Sequence, residues 1–512
     1  MSIAIKFITL NQSLDMRTIH NALYHCKQRF VPSLYICFLL TIITQGSFAQ
    51  KIGGKLTPKG GKTLFIVGQD LASVNGYINS RQFKVPGGIT TYLSFHLLRN
   101  SGNPEYGALG QNPAGRPTNR NVDWGAGPLN AHKAAFNYRK SALVIGVNFA
   151  NGNASQTWFR TGVQDIGNGR KSADIKRLAD FCKRVGKPVY LRLGYECEAP
   201  WNNYVSPAAY KKAFRKIVDG VRAAGASNVA FVWHVSAYPD LGHPNIAAWY
   251  PGDKYVDWCG ISWFLAPSYK FRGRFTSKSA SDRLLNFAKQ RKKPVMIAES
   301  APQGYDLQAG TRRNFKNGGF GPGGVGQNRQ SKTGQQIWNE WFAPYFKYIR
   351  DNANVIRAVA YINADWDSQR TWAAPYNSGY WGDTRVEKNA VIRNRWKAEM
   401  NKGFWLQGHN NIGSQLVNGG RANARQTSAV SVLGNPKVTL KPNLVDAHNT
   451  VKITGLKGKI SYAVFGASGV EITKGQLKNN TENLEVSGLK PGLYYVKITN
   501  GKEEIVKRLV VK

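Results

Sequence analysis

Between Gly61 and about Gly408, short runs rich in Val, Ile, Leu and aromatic residues alternate with longer stretches of amphipathic character. Runs of the first kind suit strands and stretches of the second kind suit helices, so the pattern predicts a series of β/α units. Strands are expected at Thr63–Gly68, Ile89–Phe95, Ala142–Phe149, Val189–Glu196, Val229–Val235, Val256–Trp263, Pro294–Glu299 and Ile356–Asn363. Helices are expected at Ser172–Val185, Ser206–Ala224, Ser279–Arg291 and Gly334–Asn352, several of them opened by a capping Ser. Eight such units make an α/β architecture, the (β/α)8 TIM barrel, the economical fold. From His409 the chain turns polar, with Asn410, Asn411, Gly413, Gly419, Gly420 and Ser428, which predicts a linker over 409–434. Short alternating runs at Val451–Ile453, Ile460–Phe465, Asn483–Val486, Leu493–Ile498 and Ile505–Val511 then predict a small C-terminal all-β sandwich domain over 435–512.

Two predicted strands deliver a carboxylate at their C-terminal ends: Glu196 closes Tyr190-Leu191-Arg192-Leu193-Gly194-Tyr195-Glu196, and Glu299 closes Pro294-Val295-Met296-Ile297-Ala298-Glu299. Barrel enzymes carry their chemistry at that face, and cleavage of a glycosidic bond uses two carboxyl groups, one giving a proton and one attacking or activating water. Strand alternation places Arg192, Gly194, Glu196 and Glu198 on one face, so either Glu196 or Glu198 qualifies as the acid. Glu196 is preferred, because the strand pattern ends there and Glu198-Ala199-Pro200 reads as loop. A general acid must keep its proton near neutral pH, and an ionised Glu299 beside it would raise its pKa. Both glutamates as mere surface charges is the plainer reading. Against it stand Trp201, Trp233, Trp263, Phe264, Trp366, Trp372 and Trp381, all near or beyond predicted strand ends, where aromatic faces stack on sugars. Arg192, Tyr195, Trp201, Trp263 and Trp366 are the candidate substrate contacts within the barrel, with His234 equally suited to a structural role.

The chain has 512 residues and a formal charge of +41. The first 49 residues hold four basic and one acidic residue and 435–512 hold thirteen and six, so +31 falls on 50–434. Such a field attracts polyanions. Basic residues gather in the long segments after the strands: Arg116 and Arg120 in 100–123, and Arg312, Arg313, Lys316, Arg329 and Lys332 in 302–333. Arg312 and Arg313 are therefore added as candidate contacts to sulfate or carboxylate groups of a substrate. Nucleic acid is a poorer partner, since the basic residues are dispersed and no recognisable nucleic-acid module is present.

Residues 1–49 have the features of a signal peptide: Arg17, Lys27 and Arg29 precede the apolar run Val31 to Ile43, and Ser47-Phe48-Ala49 supplies small residues for cleavage. That run is short beside the roughly 20 residues of a membrane span, so no span is expected in the mature chain, which begins at Gln50. Met16 is an alternative start. Cys182, Cys197 and Cys259, the cysteines beyond the leader, are too few for a disulfide framework, match no zinc spacing and are expected to be buried. No metal and no cofactor is expected.

Phe65-Ile66-Val67-Gly68-Gln69-Asp70-Leu71, Leu191 to Glu196, Trp249-Tyr250-Pro251-Gly252-Asp253-Lys254-Tyr255-Val256-Asp257-Trp258 and Lys293 to Glu299 together resemble glycoside hydrolase family 26, over about 60–410. The resemblance implies a retaining glycosidase, with Glu196 as acid/base four residues after Arg192 and Glu299 as nucleophile at the end of the seventh strand. The chain departs from the family at Tyr195, where members usually carry His, and in the loops after strands 4 and 6, unlike those of mannan-cleaving members. The end of the chain, with Val451 to Leu456, Gly492-Leu493-Tyr494-Tyr495-Val496-Lys497 and the basic Lys507, Arg508 and Lys512, resembles the C-terminal sorting domain of type IX secretion. That implies a protein secreted or displayed at the surface of a Bacteroidetes-type bacterium by the type IX machinery; a carbohydrate-binding module is the competing reading. The expectation is an endo-acting retaining glycosidase on 50–408 whose substrate is an anionic polysaccharide such as a sulfated algal galactan (carrageenan). A neutral β-mannan or β-1,3-xylan hydrolase and a non-catalytic polysaccharide-binding protein are the alternatives.

Overall fold

The computed structural model describes residues 52–417, apart from 99–106, 113, 151–160, 238–243, 272–274, 314–328 and 373–380, and most of the strands within 439–511. The leader and the greater part of the expected linker lie outside the described residues. Two compact units make up the chain, Met1–Gly419 and Gly420–Lys512.

The first unit is a closed barrel of eight parallel strands: β1 (Thr63–Gly68), β2 (Gly88–Ser94), β3 (Ala142–Asn148), β4 (Val189–Leu193), β5 (Val229–Val235), β6 (Trp258–Trp263), β7 (Val295–Ser300) and β8 (Ile356–Ile362). Neighbours pair in chain order, and β8 returns to pair with β1 from Leu64↔Ala358 to Gly68↔Ile362. Every expected strand is present; β4 stops at Leu193 rather than running to Glu196. Alternation along the strands separates two apolar layers. Leu64, Ile66, Val144, Tyr190, Val232, Trp258, Met296 and Ala358 fill the barrel interior, while Phe65, Val67, Leu143, Leu191, Trp233, Ile261, Ile297 and Val359 face outward into the helices.

The expected helices form for visible reasons. Ser172–Val185 ends at Gly186, whose φ of 67° supplies the left-handed C-cap. Pro207–Ala223 is capped by Ser206, whose side chain accepts from the Ala209 N–H, with Pro207 in the first turn. Ser277–Gln290 starts two residues before the expected Ser279, because Thr276 and Ser279 form a capping box. The fourth helix is interrupted: Gly334–Ile337 and Ala343–Asp351 flank a π-helical turn, Trp338–Phe342. Pro344 has no N–H for the regular ladder, and the wider turn lets Trp341 Nε1 donate to the Phe264 carbonyl at 2.8 Å, just past β6.

The barrel unit also extends beyond 408. Leu416 is fully buried and bridges to Pro58, and the Leu56 N–H bonds the Val417 carbonyl at 2.8 Å. The second unit contains a three-stranded sheet (Thr439–Lys441, Thr450–Thr454, Asn483–Glu485) and a five-stranded sheet (Leu444–Val445, Glu504–Val511, Gly492–Thr499, Ile460–Gly466, Glu471–Leu477). The strand Glu471–Leu477 escaped the sequence pattern because Lys474 and Gly475 interrupt its alternation.

Candidate active site

Inward positions near the ends of four strands converge at the C-terminal mouth of the barrel: Tyr92 on β2, Arg192 on β4, His234 on β5 and Ser262 on β6. Glu299 joins them through a fault in register. Along β7, Met296 and Ala298 face the interior, so strict alternation would send Glu299 outward. The pairing with β6 jumps from Ile297↔Ile261 to Glu299↔Ser262, a bulge that exchanges the two faces. Glu299 consequently points inward, and Ser300 points out, bonding the Tyr345 hydroxyl and the Ala360 carbonyl at 2.7 Å each.

Glu299 Oε1 accepts from the Tyr92 hydroxyl at 2.5 Å and from Arg192 Nη2 in a buried ion pair. Arg192 is wholly buried and also donates to the Tyr92 oxygen and to His234 Nδ1, both at 3.2 Å. A guanidinium only donates, so Nδ1 carries no proton and His234 is neutral. Burial first, then the Arg192 charge, push its pKa well below the usual histidine range. Desolvation is also the main reason that Tyr92 is raised well above an ordinary phenol and keeps its proton.

Glu196 stands just past β4, where Gly194 (φ 57°) and Glu196 itself (φ 49°) adopt left-handed backbone and end the alternation. This separates the two candidate acids. Glu198 does not share the face of Glu196: its carboxylate accepts from the Ser236 N–H at 2.9 Å, the Ser236 hydroxyl at 2.8 Å and the Ala237 N–H at 3.2 Å, fastening the end of β4 to the end of β5. Glu196 accepts from the Ser262 hydroxyl on Oε1 at 2.6 Å and from Trp201 Nε1 on Oε2 at 2.7 Å. Desolvation, then the Glu299 charge, push its pKa up to about 8, against the opposing pull of those two bonds. A carboxyl in that condition holds its proton at neutral pH.

Above these groups lies a cavity of about 800 Å³ lined by both glutamates and an aromatic wall. Trp366 and Trp381 stack at 4.4 Å, Phe264 meets Trp381 edge-on at 4.8 Å, and Trp372 closes the group. Of the candidate contacts, Tyr195, Trp201 and Trp366 line the cavity. Arg192 and His234 lie beneath it, engaged with Glu299 and Ser262 rather than open to a ligand. Trp263 follows Ser262 by one residue and so faces outward, packing on Tyr345 and Tyr348. Arg312 is paired with Glu340 at 3.3 Å and covers the Tyr305 ring; it does not line the cavity. The side chain of Arg313 is outside the described residues. Arg370 is the sole Lys or Arg among the described lining residues, which also include Asp123, Glu196 and Glu299. Sequence reasoning missed Tyr92, Ser262, Trp124 and Arg370; for the first two, inward register next to Arg192 and His234 is the signal that finds them. The three free cysteines are buried, as expected.

The profile of Glycosyl hydrolase family 26 matches residues 165–292, which include Glu196. A β-1,3-xylanase from an Alcaligenes species is 35% identical over 363 residues, 70% of this chain and 68% of that protein. β-1,3-Xylanase TXYA from a Vibrio species is 34% identical over 382 residues, 74% of each chain. Among solved structures, a Cellulomonas fimi endo-β-1,4-mannanase double mutant is 14% identical, with a TM-score of 0.45 over 88% of this chain and 94% of that one. The profile of the secretion system C-terminal sorting domain matches residues 442–512. The protein is thus cargo of type IX secretion, secreted or held at the cell surface in Bacteroidetes.

Proposed function

The chain belongs to glycosyl hydrolase family 26, and from that premise we propose that it cleaves β-1,3-xylan internally, with Glu196 as acid/base and Glu299 as nucleophile. The observation that carries the assignment is the opposite treatment of the two carboxyls. Glu299 rests against a permanent cation and a phenol donor, both on Oε1, which hold it in place as the attacking group. Glu196 is desolvated and pushed up to about 8, which favours the protonated form.

In the first step Glu299 attacks the anomeric carbon while Glu196 protonates the departing glycosidic oxygen, leaving a glycosyl ester on Glu299. In the second, Glu196 as carboxylate takes a proton from water, the resulting hydroxide displaces the ester, and Glu299 returns as carboxylate. The aromatic wall supplies flat apolar faces for sugar rings.

A neutral xylan is supported by the two β-1,3-xylanase relatives and by a described cavity lining that holds one Lys or Arg, Arg370, and three acidic side chains, Asp123, Glu196 and Glu299. The +31 carried by 50–434 favours a second reading, an anionic polysaccharide such as a sulfated galactan. With a neutral substrate that charge acts on location, holding the secreted enzyme to acidic surfaces. We assign catalysis to the unit that ends near Val417 and sorting to 435–512. The test is reducing-end release from β-1,3-xylan, β-mannan, sulfated galactans and uronic-acid polymers, with Glu299→Gln as blank. Release from β-1,3-xylan that varies less than about twofold over roughly 0.05–0.5 M NaCl supports the proposal; cleavage confined to a charged polymer and lost with salt replaces it by the second reading.

A further inference from the structure

A hydrogen-bond chain runs beneath the cavity floor from the partner of one glutamate to the other. Arg192 Nη2 meets His234 Nδ1 at 3.2 Å, His234 Nε2 meets Ser262 Oγ at 3.1 Å, and Ser262 Oγ meets Glu196 Oε1 at 2.6 Å. His234 is fully buried and Ser262 nearly so.

The direction of every bond is fixed by chemistry. Arg192 has no lone pair to offer, so His234 Nδ1 must accept, and the single proton of the neutral ring sits on Nε2. The Ile261 carbonyl, which only accepts, also bonds the ring. Ser262 Oγ therefore receives the Nε2 proton and turns its own hydrogen to Glu196 Oε1. Both oxygens of Glu196 accept, Oε1 from Ser262 in the floor and Oε2 from Trp201 Nε1, and Trp201 is 43% exposed and lines the cavity, so Oε2 is the oxygen on the cavity side.

We propose that His234 and Ser262 are positioning residues, a one-way hydrogen-bond chain from Arg192 that fixes Glu196 Oε1 in the floor and leaves Oε2, on the cavity side, as the oxygen that gives and takes the catalytic proton. This rests on Glu196 being the acid/base. The chain also ties that group to the cation beside the nucleophile, so the two glutamates share one rigid scaffold.

The groups acting on Glu196 are Glu299 on β7, Ser262 on β6, and Glu198 and Trp201 two and five residues further along the chain. Of these, Ser262 and Trp201 favour the ionised form and the two glutamates oppose it. Removing the Ser262 hydroxyl leaves the opposition and subtracts part of the support.

The experiment is the pH profile of kcat/KM for Ser262→Ala, Ser262→Thr, His234→Phe and Glu196→Ala in the full chain, on the polysaccharide that the wild-type protein cleaves. Ser262→Ala is expected to move the alkaline limb upward by about one to two pH units, as loss of a hydrogen bond to a charged group implies. Ser262→Thr, which keeps the hydroxyl, is expected to retain the wild-type limb. His234→Phe is expected to shift the limb in the same direction, and adding it to Ser262→Ala to shift it no further. An unmoved limb in Ser262→Ala, or an equal shift in Ser262→Thr, overturns the chain. Glu196→Ala tests the underlying reading separately: loss of activity on the polysaccharide together with azide-accelerated turnover of an aryl glycoside, whose leaving group needs no proton, upholds the acid/base assignment even if the chain fails, and wild-type activity on the polysaccharide or no azide effect on the aryl glycoside sinks the assignment itself.

Discussion

Replacing Arg192 by Met removes the cation from the floor of the cleft while keeping most of its volume. Arg192 is wholly buried and Glu299 is 8% exposed, so the Glu299 carboxylate left behind has little water to turn to. Breaking a buried pair at one end costs about 3–5 kcal/mol. Unfolding entropy of roughly 2.1 cal/mol/K per residue over a barrel unit of this length converts that to a fall in Tm of roughly 4–7 °C. The carboxylate also loses one of the two donors that hold its Oε1 in place as a nucleophile. We therefore expect kcat to fall at least about a hundredfold near neutral pH, the order of loss that a misplaced reacting group causes. Arg192→Lys should recover some stability yet little rate, because a lysine cannot serve Glu299, Tyr92 and His234 together. Calorimetry and reducing-end release across pH read both quantities. A Met variant with wild-type Tm and kcat within about twofold would refute the role given to this ion pair.

Other outcomes follow from the same geometry. The Glu196 pKa is raised from 4.5 to about 8 on folding, so its neutral form stabilises the fold fully below pH 4.5 and that contribution is lost as pH climbs toward 8; Glu196→Gln, neutral throughout, should match wild-type Tm at pH 4 and exceed it at pH 9, and equal Tm values at both would contradict this. Glu198→Ala strands two N–H groups and a hydroxyl, and should cost about 3 kcal/mol in denaturant titration while also lowering kcat, since the turn bearing Glu196 loses its anchor. Trp366→Ala removes a ring that stacks on Trp381 and donates to Thr384 Oγ1 at 3.0 Å; a loss of about 3–5 kcal/mol in stability should accompany a raised KM, and a KM unchanged in folded protein would remove the wall from substrate binding.

The barrel was legible because each strand is an uninterrupted β-rich run between recognisable helix starts, and Glu196 and Glu299 stood out as charges at the ends of such runs. Local backbone events hid the rest. Alternation carried past Leu193 wrongly joined Glu196 to Glu198, since left-handed residues at 194 and 196 end the strand. The bulge in β7 is invisible in Met296-Ile297-Ala298-Glu299-Ser300, yet it decides which way Glu299 faces. Trp263 looked like a sugar platform because it ends a strand, but its odd register sends it outward. Arg312 advertised an anion site in sequence, whereas in space it has its own carboxylate, Glu340.

Trp124 and Trp201 are 40% and 43% exposed, both line the catalytic cavity, and among the described residues they are the tryptophans most open to solvent. The large core tryptophans Trp233, Trp258, Trp341 and Trp396 are buried. The molecule thus carries its own optical reporter. Iodide, a collisional quencher drawn to a cationic protein, should extinguish the red-shifted emission of these two rings and spare the blue-shifted remainder. A saturating oligosaccharide would shield them, so occupancy of the cleft becomes readable as lost quenching, in an inactive variant and without any label.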